Sequence, residues 1–346
     1  MNPNKKKITV IGAGSWGSAL ARILGDNQNE VLLYDKDSVL VEEINQYHTN
    51  KTKLPIGMLP QIVKATTDIN QAISYSDIIV LSIPTKVLRS VLEEIEKVID
   101  SKKLFINTSK GLEPKTFLRV SEILYQVIDQ NYIEGFVALT GPSHAEEVIR
   151  QLPTTICSVS NNKEHAIKIQ LLFNNSTYFR VYTGSDLVGS ELCGAIKNVY
   201  AIASGMLEGL GYGDNARAGL ISRALVEMKR VVTALGGKED TVFGLTGVGD
   251  LVVTTTSHHS RNYQAGLKLA QVNDLESTIA SMSMVVEGAR TAEAVYEVSK
   301  QLNLETPIID AVYHVIYEKQ NVKNAVSELM LSLIHISEPT RRTPIS

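Results

Sequence analysis

The spacing of hydrophobic residues changes rhythm about halfway along the chain. Before residue 184, short runs rich in Val, Ile, Leu and Thr (KKITVIG, EVLLYD, DIIVLSIP, KLFINTS, FVALTG and TTICSVS) alternate with stretches such as SALARILGDN and KVLRSVLEEIEKVI, whose apolar residues recur at three and four. Nearly unbroken apolar strands separated by amphipathic helices predict a parallel sheet covered on both faces. After that point the pattern is helical: SELCGAIKNVYAIASGML, RAGLISRALVEMKRVVTALGG and GARTAEAVYEVSKQLN are long and keep a helical period. The pattern predicts an α/β unit over residues 1–187 and a mostly helical unit over residues 188–330, with the change near 184–189.

One helical stretch, GAIKNVYAIASG at residues 194–205, places a lysine among small and apolar residues. Leu192, Ile196, Val199, Ala203 and Met206 form its apolar stripe. Lys197 lies off that stripe beside Asn198, and Gly194 and Ala201 one turn away leave room for a ligand. The competing expectation is a lysine whose stem lies along the helix and whose head reaches water.

In the α/β unit, ITVIG runs into Gly12-Ala13-Gly14-Ser15-Trp16-Gly17 and then into a helical pattern. Glycines at that spacing permit a tight turn, close approach of backbone to a pyrophosphate, and close packing of helix on strand. Asp35, at the end of the next strand, falls where a ribose hydroxyl is met. The context predicts a dinucleotide site that includes Gly12, Gly14, Gly17 and Asp35. Pro84 and Lys110 follow later strands and are expected beside the same crevice. GPSHAEE, from Gly141, reads as a capping box formed by Ser143 and Glu146. In the helical unit, Gly247-Val248-Gly249-Asp250 precedes Ser260-Arg261-Asn262, where Ser260 is the expected N-cap and Arg261 with the helix amides makes a phosphate site. His258 and His259 lack a carboxylate or cysteine at ligand spacing, so no metal is assigned.

Composition narrows the class without changing this picture. A chain of 346 residues can bury two cores. Its net charge of −3 provides no basic field for nucleic acid, and no apolar run is long enough for a membrane span. Cys157 and Cys193 are far apart in apolar surroundings, which fits reduced thiols in a cytoplasm. The N-terminus runs directly into a strand instead of a secretory apolar core. At the other end, LSLIHISEPTR resembles one reading frame of a sequencing adapter, so residues 331–346 are expected to be a non-native tail that contributes little stability.

GAGSWGSALA, SKGLE, GPSHAEEV, GAIKNVYAIASGMLEGLGYGDNARAGLISRALVEM, GLTGVGDLVVT, SRN and VVEGARTAEAVYE, in this order, resemble the bacterial NAD(P)-dependent glycerol-3-phosphate dehydrogenases. The resemblance covers almost everything before residue 331. It implies a Rossmann-type doubly wound sheet and an all-helical C-terminal domain of the 6-phosphogluconate dehydrogenase C-terminal-like type, with the site between them. By the same matching, Lys197 is the catalytic acid/base with Asn198 beside it, and Lys110, Gly141, Ser143, Asp250, Ser260, Arg261 and Asn262 contact a phosphorylated triose. Ser15, Trp16, Lys36, Ala145, Val285 and Glu287 contact NAD(P)H, with Lys110 and Arg261 shared. The implied reaction is reversible hydride transfer between the cofactor and C2 of dihydroxyacetone phosphate, giving sn-glycerol 3-phosphate for phospholipid synthesis. A homodimer is the assembly to test. Asp35 opposes a 2′-phosphate and Lys36 welcomes one, so use of both cofactors with a modest NADPH preference is expected. Two alternatives are another dehydrogenase of the same architecture and a catalytically silent NAD(H) sensor. The first would not be expected to combine these motifs, and an assay of turnover with dihydroxyacetone phosphate would decide the second.

Overall fold

The computed structural model describes residues 5–271 and 286–331. Eight strands, β1 (Lys7–Ile11), β2 (Glu30–Tyr34), β3 (Val63–Thr66), β4 (Ile78–Leu81), β5 (Lys103–Asn107), β6 (Ile133–Thr140), β7 (Thr154–Val159) and β8 (Phe179–Gly184), form one sheet in the order 3-2-1-4-5-6-7-8. The first six are parallel and doubly wound, with the order reversing between β1 and β4, where such sheets bind ligands. The expected parallel sheet carries one departure at its far edge, where β7 is antiparallel to β6 and β8 follows β7 in direction. The link from β6 to β7 carries only one short helix and turns back at the same edge, so it makes no crossover.

Helices α1 (Ser15–Asp26), α2 (Ser38–Tyr47), α3 (Ile69–Tyr75), α4 (Thr85–Glu96), α5 (Val120–Val127), α6 (Ala145–Val148) and α7 (Lys163–Phe173) belong to this unit. One apolar cluster joins α1, α2 and α7 to one side of the sheet through Leu20, Ile44 and Phe173, and a second joins α3, α4 and α5 to the other through Ile73, Leu92 and Ile123. Burial on both faces explains why β1 and β4 read as almost continuous apolar runs. Strands β3 and β8 escaped the sequence pattern. β3 has four residues including an exposed Lys64, and β8 is an edge strand whose outward positions are polar.

The chain then enters α8 (Leu187–Gly209), α9 (Asp214–Ala234), α10 (Glu239–Val242), α11 (Asp250–Thr256), α12 (Arg261–Gln271), α13 (Glu287–Gln301), α14 (Pro307–Tyr317) and α15 (Val322–Leu331). Asp186 starts α8 by accepting the Gly189 N–H, and it also accepts from the Lys238 N–H just before α10 and from the Thr241 hydroxyl within it. α8 runs through the middle of the unit, against α9, α11, α12, α13 and α14. Its crossing with α12 is close because Gly205 faces the Tyr263 carbonyl and Gly266 faces the Ile202 carbonyl; a Cβ would come within 2.0 and 1.9 Å of these oxygens. Among the described residues, no helix is long and apolar enough to cross a membrane. Leu331 closes α15, and the rest of the expected tail lies outside the described residues.

Candidate active site

The stripe expected on α8 is buried, and so is the opposite face. Almost every residue of the helix is enclosed, including Lys197 at 5% exposure and Asn198 at 4%. The lysine reaching for water is therefore ruled out: a central helix has no solvent side. Lys197 Nζ instead donates to Asp250 Oδ1 at 2.5 Å and to Thr254 Oγ1 at 2.8 Å.

Asp250 is aimed by a widened turn. Residues Leu245–Gly249 form a single π-helical turn before α11, and Gly247 passes so close to the Val242 carbonyl that a Cβ would lie 2.0 Å from its oxygen. The Asp250 carboxylate is fully buried. Its second oxygen accepts from Lys110 Nζ at 2.9 Å, and Lys110 Nζ also donates to the Gly141 carbonyl at 3.0 Å. Lys110 comes from the loop after β5, so the lysine–aspartate–lysine chain joins the two units. Thr254, one turn beyond Asp250, accepts from Lys197 and donates to the Asp250 main-chain carbonyl at 2.6 Å. Sequence reasoning missed Thr254, although the i,i+4 spacing in DLVVT is a readable signal.

The electrostatics follow from burial and from two cations sharing one anion. Burial lowers the Lys197 ammonium to about 7, against the pull of Asp250 and with the nearby Lys110 charge adding to the lowering. Burial alone would raise the Asp250 carboxyl, but the two ammonium groups hold it below the usual carboxylate range. A lysine poised near neutrality can give or take a proton.

Around this chain the expected substrate residues gather unequally. Gly141 is in the left-handed region at φ 139°, and Ser143 Oγ donates back to its carbonyl at 3.0 Å. The expected capping box is absent: α6 begins one residue later, with His144 at the N-cap and no side-chain cap, because the Ser143 hydroxyl is turned to Gly141. Buried Ala145 opens that helix, and the His144 ring lies 5.7 Å from that of His259. Ser260 caps α12 as expected, accepting from Asn262 N at 3.0 Å and Tyr263 N at 3.3 Å. Arg261 is exposed at the first turn, while Asn262 Oδ1 accepts from Gly288 N at 3.0 Å and ties α12 to α13. Burial raises the Glu287 carboxyl against the pull of Arg261, Lys197 and Lys110, which places this residue in the same field. Val285 lies outside the described residues. His258 contacts the side chain of Gln264, and among the described residues no three metal-binding side chains converge.

The glycine turn shows a division of labour. Gly12 has φ 102°, and a Cβ there would lie 2.5 Å from the Ser82 carbonyl oxygen, while one on Gly17 would lie 1.9 Å from that of Gly12. A Cβ on Gly14 would meet nothing within 4 Å, so that position is open to a ligand. No side chain caps α1, which leaves its first amides to an anion. The cradle fits a dinucleotide pyrophosphate. Asp35 closes the turn by accepting from Ala13 N at 2.9 Å and Asp37 N at 3.1 Å. Ser15 Oγ is bonded to the Lys53 carbonyl, and the buried Trp16 Nε1 has no partner among the described residues. Buried Asn50 donates to the Ala13 carbonyl and to Ser18 Oγ, both at 2.8 Å, holding the loop after α2 against the turn. Lys36 pairs with Glu94 on α4 at 2.8 Å.

The family model described as the NAD-dependent glycerol-3-phosphate dehydrogenase C-terminus matches residues 186–327, and the model for the corresponding N-terminus matches residues 7–166. A glycerol-3-phosphate dehydrogenase [NAD(P)+] of Bacillus pumilus is 47% identical over 94% of this chain and 94% of its own length. The Bacillus subtilis relative of the same name is 46% identical over the same shares. The crystal structure of glycerol-3-phosphate dehydrogenase from Coxiella burnetii superposes with a TM-score of 0.89 at 34% identity, covering 95% of this chain and all of the other.

Proposed function

The chain belongs to the NAD-dependent glycerol-3-phosphate dehydrogenase family, and from that premise we propose that Lys197 exchanges the proton at the C2 oxygen of the triose phosphate. The reaction is reversible hydride transfer between NAD(P) and the C2 position of sn-glycerol 3-phosphate and dihydroxyacetone phosphate. The nicotinamide supplies or accepts the hydride. What the protein must add is a proton donor for an oxygen that develops negative charge. Lys197 suits this role because it is buried, lowered to about 7 and held by Asp250 and Thr254. That geometry is the observation that carries the reading.

On this reading Asp250 keeps enough positive charge on Lys197 for donation, and Lys110 completes a net cation facing an anionic substrate. Arg261 brings charge to the substrate phosphate and, with Lys110, to the cofactor. Gly141, Ser143 and Asn198 line the triose, while Ser260 and Asn262 fix the start of α12. Gly12, Gly14, Ser15, Trp16 and Gly17 hold the pyrophosphate, Asp35 and Lys36 meet the ribose, and Ala145 and Glu287 flank the remainder. Glycerophospholipid synthesis is the proposed destination of the product. The unpaired cysteines agree with a cytoplasmic setting, and light scattering would decide whether the enzyme is a dimer.

The test replaces Lys197 with methionine, which keeps the stem and removes the ammonium. Turnover of dihydroxyacetone phosphate should fall by about 10²- to 10⁴-fold, while circular dichroism and cofactor binding stay near wild type. Near-normal turnover would overturn the assignment, and lost cofactor binding would point to a damaged fold.

A further inference from the structure

We propose that Glu94 sets the choice between NADPH and NADH by competing with the cofactor's 2′-phosphate for Lys36. The inference rests on the reading of Lys36 as a cofactor contact. Lys36 directly follows Asp35, whose carboxylate is fixed in the glycine turn by the Ala13 and Asp37 amides. That places Lys36 next to the ribose edge. Its ammonium, however, is held by Glu94 Oε1 at 2.8 Å, on a helix from the opposite side of the sheet. Nearby Asp37 caps α2 through the Val39 and Leu40 amides, and its charge is the same with and without Glu94, so it does not alter the comparison.

The charges decide the direction. Asp35, Lys36 and Glu94 together carry one net negative charge, which opposes the roughly doubly charged phosphate of NADPH. A ribose hydroxyl, being neutral, pays no such penalty. Neutralising Glu94 leaves Asp35 and Lys36 balanced and releases the ammonium toward the phosphate. The pair is largely open to water, with side-chain exposures of 64% for Lys36 and 37% for Glu94, so a bound phosphate can pull it apart. For the same reason the effect is modest and screened by salt.

The experiment measures dissociation constants of NADPH and NADH without triose, by titrating the fluorescence of the reduced cofactor. It uses wild type, Glu94→Gln, Lys36→Ala and the double variant, with kcat/KM ratios alongside. Glu94→Gln should shift the binding ratio toward NADPH by about two- to fivefold, as expected for an exposed pair. The gain should shrink in the Lys36→Ala background and at high salt. If Glu94→Gln leaves the ratio unchanged while Lys36→Ala lowers it, the role of Glu94 is overturned and the reading of Lys36 stands. If neither substitution moves the ratio, both fall. An equal gain with and without Lys36 would mean simple repulsion and would overturn the competition.

Discussion

Asp250 is the residue on which the site's charges depend, because its single carboxylate, fully buried, is shared by one lysine from each structural unit. Asp250→Asn would leave two close ammonium groups without their counter-ion, a change that typically costs about 3–5 kcal/mol. It should therefore lower the denaturation midpoint as well as turnover. The pH dependence has a definite sign. Reduction requires protonated Lys197, so its rate should decline as pH rises through about 7, and alcohol oxidation, which needs the neutral amine, should gain over the same range. Since Asp250 pulls the lysine upward, residual reduction by Asp250→Asn should decline at a lower pH than wild type. Rate profiles in both directions check this, and an unmoved profile would separate Asp250 from the titration of Lys197.

Elements differed in how far the sequence disclosed them. The glycine turn was legible because each glycine answers a local demand: a left-handed φ at Gly12, packing at Gly17 and open space at Gly14. Ser260 as the cap of α12 was legible for the same reason, since capping is decided within three residues. The enclosure of Lys197 was not, because it depends on helices that follow much later in the chain. Nor was the link between Asn262 and Gly288, which a periodicity argument cannot see. The α8–α12 crossing supplies a prediction at this scale. Gly266→Ala directs a methyl group at the Ile202 carbonyl, so α12 must move away from α8. Overpacking typically costs about 1–3 kcal/mol. Because Ser260, Arg261 and Asn262 ride at the start of α12, KM for the triose phosphate should rise with the loss of melting temperature. Normal KM in a destabilised variant would show that the start of α12 stays in place.

At the scale of the whole molecule, the alternation of strands with helices and the helical second unit were legible from rhythm, whereas the reversal at β7 came from a connection whose path no local pattern specifies. A buried carboxyl gives this larger structure its own response to pH. Glu227 on α9 accepts the Ile308 and Ile309 amides at the start of α14, at 2.9 and 3.0 Å. Burial raises it from 4.5 to about 8, against the pull of those amides. A carboxyl with a raised folded pKa binds a proton on folding, so its contribution is full below about 4.5 and disappears as pH climbs through about 8. Lys197, lowered from 10.5 to about 7, acts in the opposite sense but above pH 7. Between about pH 5 and 7, wild type should therefore lose stability relative to Glu227→Gln as pH rises. Denaturant midpoints of both proteins across that window test the claim, and parallel curves would refute it.

The chain contains a single tryptophan, and Trp16 stands in the turn that opens α1, with its ring nitrogen buried and unpartnered among the described residues. Indole emission excited selectively over tyrosine consequently reads one address in the molecule. It should respond when a nucleotide settles on the turn and when β1 and α1 come apart, yet remain silent if the helical unit loosens first. Followed beside far-ultraviolet ellipticity, which weighs every helix, this one ring would show whether the two units come undone together or in succession.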